Sequence, residues 1–166
     1  FINLLAKNSS KKDPIEKLTI FSHGGKQGVY CKKNEGLFSG TFDNGVGTAV
    51  GEAFGIYDAA TLSDMKKMIE SGDIVFADNA NIYLSGCDLG TEDFAQELAN
   101  ITGAKVYAMN DDGVGTINKV SGKKSKETGY FGPAKTRGRD GRWFLYQKGQ
   151  DPQMVGKKLK LTEGER

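Results

Sequence analysis

One histidine and two cysteines carry the strongest nucleophilic and acid–base chemistry in this 166-residue chain. The histidine, His23, closes the run "LTIFSHGG" at 18–25. Cys87 closes "NIYLSGC" within the stretch 81–90. Each is an apolar, strand-like run that ends in a small residue and then a reactive side chain. A thiol attacks as its thiolate, and a free cysteine at neutral pH is mostly protonated. A histidine beside it can take the proton, pair with the thiolate, and later protonate a leaving amine. The amides of Gly24 and Cys87 are candidates for an oxyanion hole, because glycines let backbone approach a substrate carbonyl.

The bland readings are a structural histidine at a strand end and an inert buried thiol. They weaken together, since both residues sit among small neighbours at strand ends, where packing demands are lowest. Cys31 is the rival nucleophile. It falls in a short hairpin with no helix start behind it, whereas a helix expected just after Cys87 would favour the anion through its N-terminal partial charge. His23, Cys31 and Cys87 lie too far apart in the chain to match any zinc-site spacing. Neither a phosphate-binding G-x-x-x-x-G-K-[ST] nor a G-x-S-x-G serine elbow occurs.

The elements that must position these residues follow from periodicity and punctuation. Strands are expected at 17–22, 81–86, 105–109 and 142–147, with a hairpin from 28–30 and 36–42. Helices are expected at 61–72, capped by Thr61 with Asp64 in the first turn, and at 91–103, capped by Thr91 and stopped by Gly103. Residues 43–55 and 110–140 read as glycine-rich or polar loop. The near-repeat "DNGVGT" (43–48) and "DDGVGT" (111–116) is too short to establish a structural repeat. Alternating strands and helices imply an α/β fold with parallel pairing and crossovers. In such a sheet the strands end along one edge, where ligands collect. His23 and Cys87, though distant in sequence, would then meet across one crossover.

Composition suits one globular domain: 37% hydrophobic and 27% charged residues, net charge +2. Two cysteines are too few for a disulfide framework, and no run is long enough to span a membrane. The chain begins at Phe1 with neither Met nor a signal pattern, which suggests a piece of a longer protein. Charge is uneven. Residues 1–116 hold ten Lys/Arg against sixteen Asp/Glu, and residues 117–166 hold thirteen against five. The expected division is a domain at 1–148 and a basic tail at 149–166. Such a basic region usually forms a solvated face, and otherwise attracts a polyanion, an acidic surface or nucleic acid.

"LTIFSHG" and "IYLSGC" together resemble the signature of the clan CD cysteine peptidases, which include caspases, legumains, clostripain, gingipains and the self-cleaving domains of large bacterial toxins. "IYLSGCDLGTEDFAQELANITGAKVYAMNDDGVG" is similar to the caspase-like domains of very long bacterial surface and toxin proteins. The resemblance spans roughly 18–116. It implies a caspase-like three-layer sandwich, with a mostly parallel central sheet and helices on both faces. It also implies His23 as base, Cys87 as nucleophile and the Gly24 and Cys87 amides as oxyanion donors. Asp43, Asp88, Asp111 and Asp112 would line a pocket favouring Arg or Lys before the cut, unless they are turn-forming aspartates.

The resemblance further implies a protein or peptide substrate, a cognate inhibitor or immunity protein, and release as a secreted or translocated fragment. No cofactor is required. In some toxin relatives an inositol phosphate switches on self-cleavage, and Lys119, Lys123, Lys124, Lys126, Arg137 and Arg139 could bind such a polyanion here. The chain departs from the family in the short segment before its histidine strand, where the family usually has one or two more strands. Nothing after residue 116 matches. Two other readings stay open. One is a catalytically inactive caspase-like binding module using its basic surface. The other, weaker, is a toxin acting on nucleic acid through 119–142.

Overall fold

The computed structural model describes residues 1–32, 35–39, 60–86, 88–91, 93–110, 115–117, 130–133, 142–156 and 159–160. The first elements are helix α1 (Ile2–Lys7) and strand β1 (Ile15–Phe21). The chain then turns into β2 (His23–Gly25), β3 (Gly28–Lys32) and β4 (Glu35–Phe38). After β5 (Ala60–Thr61) come helix α2 (Leu62–Glu70), β6 (Phe76–Ser85), helix α3 (Phe94–Thr102) and β7 (Lys105–Asn110). The remaining strands are β8 (Gly115–Ile117), β9 (Tyr130–Pro133), β10 (Arg142–Tyr146), β11 (Gln153–Gly156) and β12 (Leu159–Lys160).

The fold is α/β. Its main sheet has the order β1-β6-β7-β10-β11. β1–β6 and β6–β7 are parallel, as the intervening α2 and α3 allow. β7–β10 and β10–β11 are antiparallel, so the sheet is mixed where a mostly parallel one is expected. The physical reason is the connection after β7: it carries strands β8 and β9, and β10 returns alongside β7 in the opposite direction. The segment beyond Gly149, expected as a tail, contributes β11 to this sheet.

Side chains alternate across the main sheet with the period of two that a pleated strand imposes. Ile20, Ile82, Leu84, Val106, Ala108 and Tyr146 point to one face and pack with Leu62 and Met65 of α2 and with Phe94, Leu98 and Ala99 of α3. Leu5 of α1 belongs to the same cluster, as do Val29 and Leu37 of the β3–β4 hairpin. The other face carries Tyr83, Tyr107, Met109 and Trp143, with Leu159 of β12 buried among them. Tyr83 and Tyr107 are opposite each other in the ladder, and their rings stack at 5.0 Å. Among the described residues, all three helices therefore serve one face, and the second face meets a strand of the small β12-β9-β8 sheet.

Helix α2 matches its sequence signal. The Thr61 hydroxyl accepts from the Asp64 amide at 3.1 Å, and the Thr61 amide donates to the Asp64 carboxylate at 3.1 Å, a complete capping box. Helix α3 starts at Phe94, with Asp93 at its N-cap and no side-chain cap bond. It does not start at the expected Thr91, whose amide instead donates to the Asp88 carbonyl at 3.2 Å and closes a turn. At the other end Gly103 takes a left-handed φ of 71° and its amide returns to the Ala99 carbonyl, as expected of a glycine stop.

Candidate active site

The parallel ladder between β1 and β6 sets the site. From Lys17↔Asn81 to Phe21↔Ser85 the sequence offset between partners is constant. In sequence, His23 and Cys87 are separated by the same offset. The pairing runs to the last residue of each strand, and beyond it the Ser22 amide still donates to the Ser85 carbonyl at 3.2 Å. The two carboxyl ends are therefore side by side, at the edge where α/β sheets place their ligands.

Past that edge the first chain changes sheets. His23 opens β2 and pairs with Tyr30 of β3, while Gly24 pairs with Val29. The second chain approaches it at Gly86. A Cβ on Gly86 would lie 2.9 Å from the Ser22 carbonyl oxygen and 3.4 Å from the Gly24 amide nitrogen. It would also lie 2.8 Å from Leu89 Cδ1. Backbone this close needs a residue without a side chain. The sequence neighbours of His23 on one strand end and of Cys87 on the other are thus in contact. Cys87 lies outside the described residues, and of His23 and Cys31 only the backbone is described.

Downstream, residues 88–91 form a compact turn. Asp88 has a φ of 53°, the one non-glycine residue in the left-handed region among those described. Leu89 is fully buried. The Gly90 amide donates to the Met109 carbonyl at 2.7 Å, and the Gly90 carbonyl accepts from the Tyr146 hydroxyl at 2.7 Å. The turn after β6 is thereby fastened to β7 and β10. Burial pushes the Tyr146 phenol up to about 12.

This turn revises one electrostatic expectation. Helix α3 begins only at Phe94, with the whole turn between it and Cys87. A helix terminus acts over its first turn only, so chain adjacency no longer places a helix dipole behind Cys87. Of the aspartates proposed to line a specificity pocket, Asp88 lies in the turn at the sheet edge. Asp43, Asp111 and Asp112 lie outside the described residues, as do Lys119, Lys123, Lys124, Lys126, Arg137 and Arg139.

Two cavities, about 390 and 340 Å³, lie elsewhere. One is lined by residues between Asp13 and Leu18 with Leu5 and Asn8, the other by Ile69–Gly72 and Ile74–Phe76 with Lys11 and Thr102. Both border the opposite edge, where β1 and β6 begin, away from His23 and Gly86. Among the described residues no group of three or more His, Cys, Asp or Glu side chains could hold a metal ion, and no helix is long and apolar enough to cross a membrane.

Sequence reasoning missed Gly90 and Tyr146. Tyr146 reads as one more apolar position in "RWFLYQ", and nothing local links it to a glycine so far back in the chain. Comparison with family models, with curated proteins and with solved structures finds no match.

Proposed function

We propose that the chain is a cysteine endopeptidase domain acting through a Cys87–His23 dyad. The observation that carries this reading is the constant offset of the β1–β6 ladder, together with the approach of Gly86 to the Ser22–Gly24 backbone. A parallel pair that keeps its register to the final residue supports a reading in which the positions just beyond both strand ends meet. Those positions hold the one histidine and a cysteine. The resemblance of "LTIFSHG" and "IYLSGC" to clan CD peptidases points the same way, and it extends the fold reading to a caspase-like sandwich.

In this mechanism His23 takes the Cys87 thiol proton. The thiolate adds to a peptide carbonyl, and the Gly24 and Cys87 amides stabilise the oxyanion. His23 then protonates the departing amine, and water hydrolyses the acyl-enzyme to release the acid and restore the thiol. Asp88, with Asp43, Asp111 and Asp112, would select a basic residue before the cut. The domain would serve as a toxin, effector or autoprocessing unit of a larger bacterial protein, with a polyanion such as an inositol phosphate as activator and an inhibitor protein as partner.

The test is mass spectrometry of peptide cleavage by the wild-type protein and by Cys87→Ala and His23→Ala. Each substitution should reduce cleavage at least about 1000-fold while circular dichroism stays native. Full activity in Cys87→Ala would end the proposal. A wild-type protein without cleavage, whose basic surface holds a polyanion or protein partner, would instead favour an inactive binding module.

A further inference from the structure

We infer that Tyr146 is a positioning residue for the nucleophile, holding the turn that follows Cys87 against the main sheet through Gly90. The inference rests on the peptidase reading and adds to it the residue that fixes its loop.

The turn is held from both sides of Cys87. Upstream, Gly86 fits against the Ser22 carbonyl and the Leu89 side chain, with room for no Cβ. Downstream, Gly90 is gripped by two 2.7 Å hydrogen bonds, one from its amide to Met109 of β7 and one to its carbonyl from Tyr146 of β10. A Cβ on Gly90 would lie 2.5 Å from the Met109 oxygen and 2.6 Å from the Tyr146 hydroxyl oxygen, so this grip is open only to glycine. Between the two sits Asp88 in a left-handed conformation that L-residues disfavour. Such a backbone persists where its surroundings over-determine it. Releasing Gly90 would remove one of the restraints on the turn that holds Asp88 in this conformation.

Tyr146 suits this role. It is 2% exposed, so its hydroxyl is shielded from competing water. Its phenol, pushed up by burial to about 12, stays protonated and donating throughout the range in which a cysteine and a histidine titrate. Any pH-dependent change on altering it therefore comes from the groups it positions.

The experiment compares the full wild-type chain with Tyr146→Phe. The alkylation rate of Cys87 by iodoacetamide is followed against pH, with Cys31 as internal reference, and exchange of the Gly90 amide is followed by NMR. A second variant, Phe144→Leu, alters the same strand and face two residues from Tyr146, and controls for simple loss of stability. If Tyr146 positions the nucleophile, Tyr146→Phe speeds Gly90 exchange roughly tenfold or more. It also changes the dependence of the Cys87 alkylation rate on pH. Cys31 keeps its profile, and Phe144→Leu changes neither readout.

Faster Gly90 exchange with an unchanged Cys87 profile would overturn the inference, leaving Tyr146 a structural residue. So would unchanged exchange and profile, or equal changes at Cys31 and in Phe144→Leu. Failure of the peptidase reading is separate: a wild-type chain that cleaves no peptide but shows the Tyr146-dependent Cys87 shift would lose the enzyme and keep the positioning residue.

Discussion

Gly90 has no side chain, and the space where one would begin is already occupied. Overfilling so tight a site costs about 1–3 kcal/mol, and in a domain of this size each kcal/mol lowers the melting temperature by roughly 2–4 °C. Gly90→Ala should therefore melt several degrees below wild type in a thermal scan, a loss that an unconstrained turn would not show. The ends of β1 and β6 were legible in a way Gly90 was not. His23 and Cys87 each follow an apolar run and a small residue, a local pattern that marks a strand end. Gly90 and Tyr146 meet only because β7 and β10 fold a long stretch of chain back on itself, and no local pattern records that.

At the scale of the element, helix α2 was legible because its signal is self-contained. Thr61 and Asp64 are close in sequence and satisfy each other's backbone. The Thr61 hydroxyl and amide, the strongest influences, hold the Asp64 carboxyl below the usual carboxylate range, with Lys67 adding to the effect. A depressed folded-state value means the stabilisation is complete above the ordinary aspartate range and is lost as pH falls through the folded value. Thr61→Ala should cost about 1 kcal/mol at neutral pH. Urea midpoints measured across acid pH should show that deficit shrinking as Asp64 protonates and the 2.7 Å bond from the Thr61 hydroxyl to its carboxylate weakens; a deficit independent of pH would assign it to the bond from the Asp64 amide alone. Helix α3 shows the limit of such reading. "TEDF" looks like a capped start, yet Thr91 belongs to the turn fastened at Gly90, and the helix waits until that turn is complete.

Across the whole molecule, the α/β class was legible from alternating strands and helices, and the antiparallel half of the sheet was not. Strand β11 is short, lies on the sheet edge and exposes Met154 and Val155, so it lacks the alternation that burial imposes. The polar, basic composition around it reads as tail. Its pairing with β10 and the burial of Leu159 give this end of the chain a structural role. A chain ending at residue 148 should lose about 1.5–3 kcal/mol from Leu159 alone, seen as a lower melting temperature; an unchanged one would restore the tail reading. The two faces of the sheet also differ in their optics. Trp143, the chain's one tryptophan, is fully buried on the same face as the stacked Tyr83–Tyr107 pair, while the described helices pack on the other. Tryptophan emission thus reports the aromatic layer, while far-ultraviolet dichroism follows helices and strands together, so comparing the two transitions shows, without a dye, whether the aromatic layer loosens in the same step as the backbone structure.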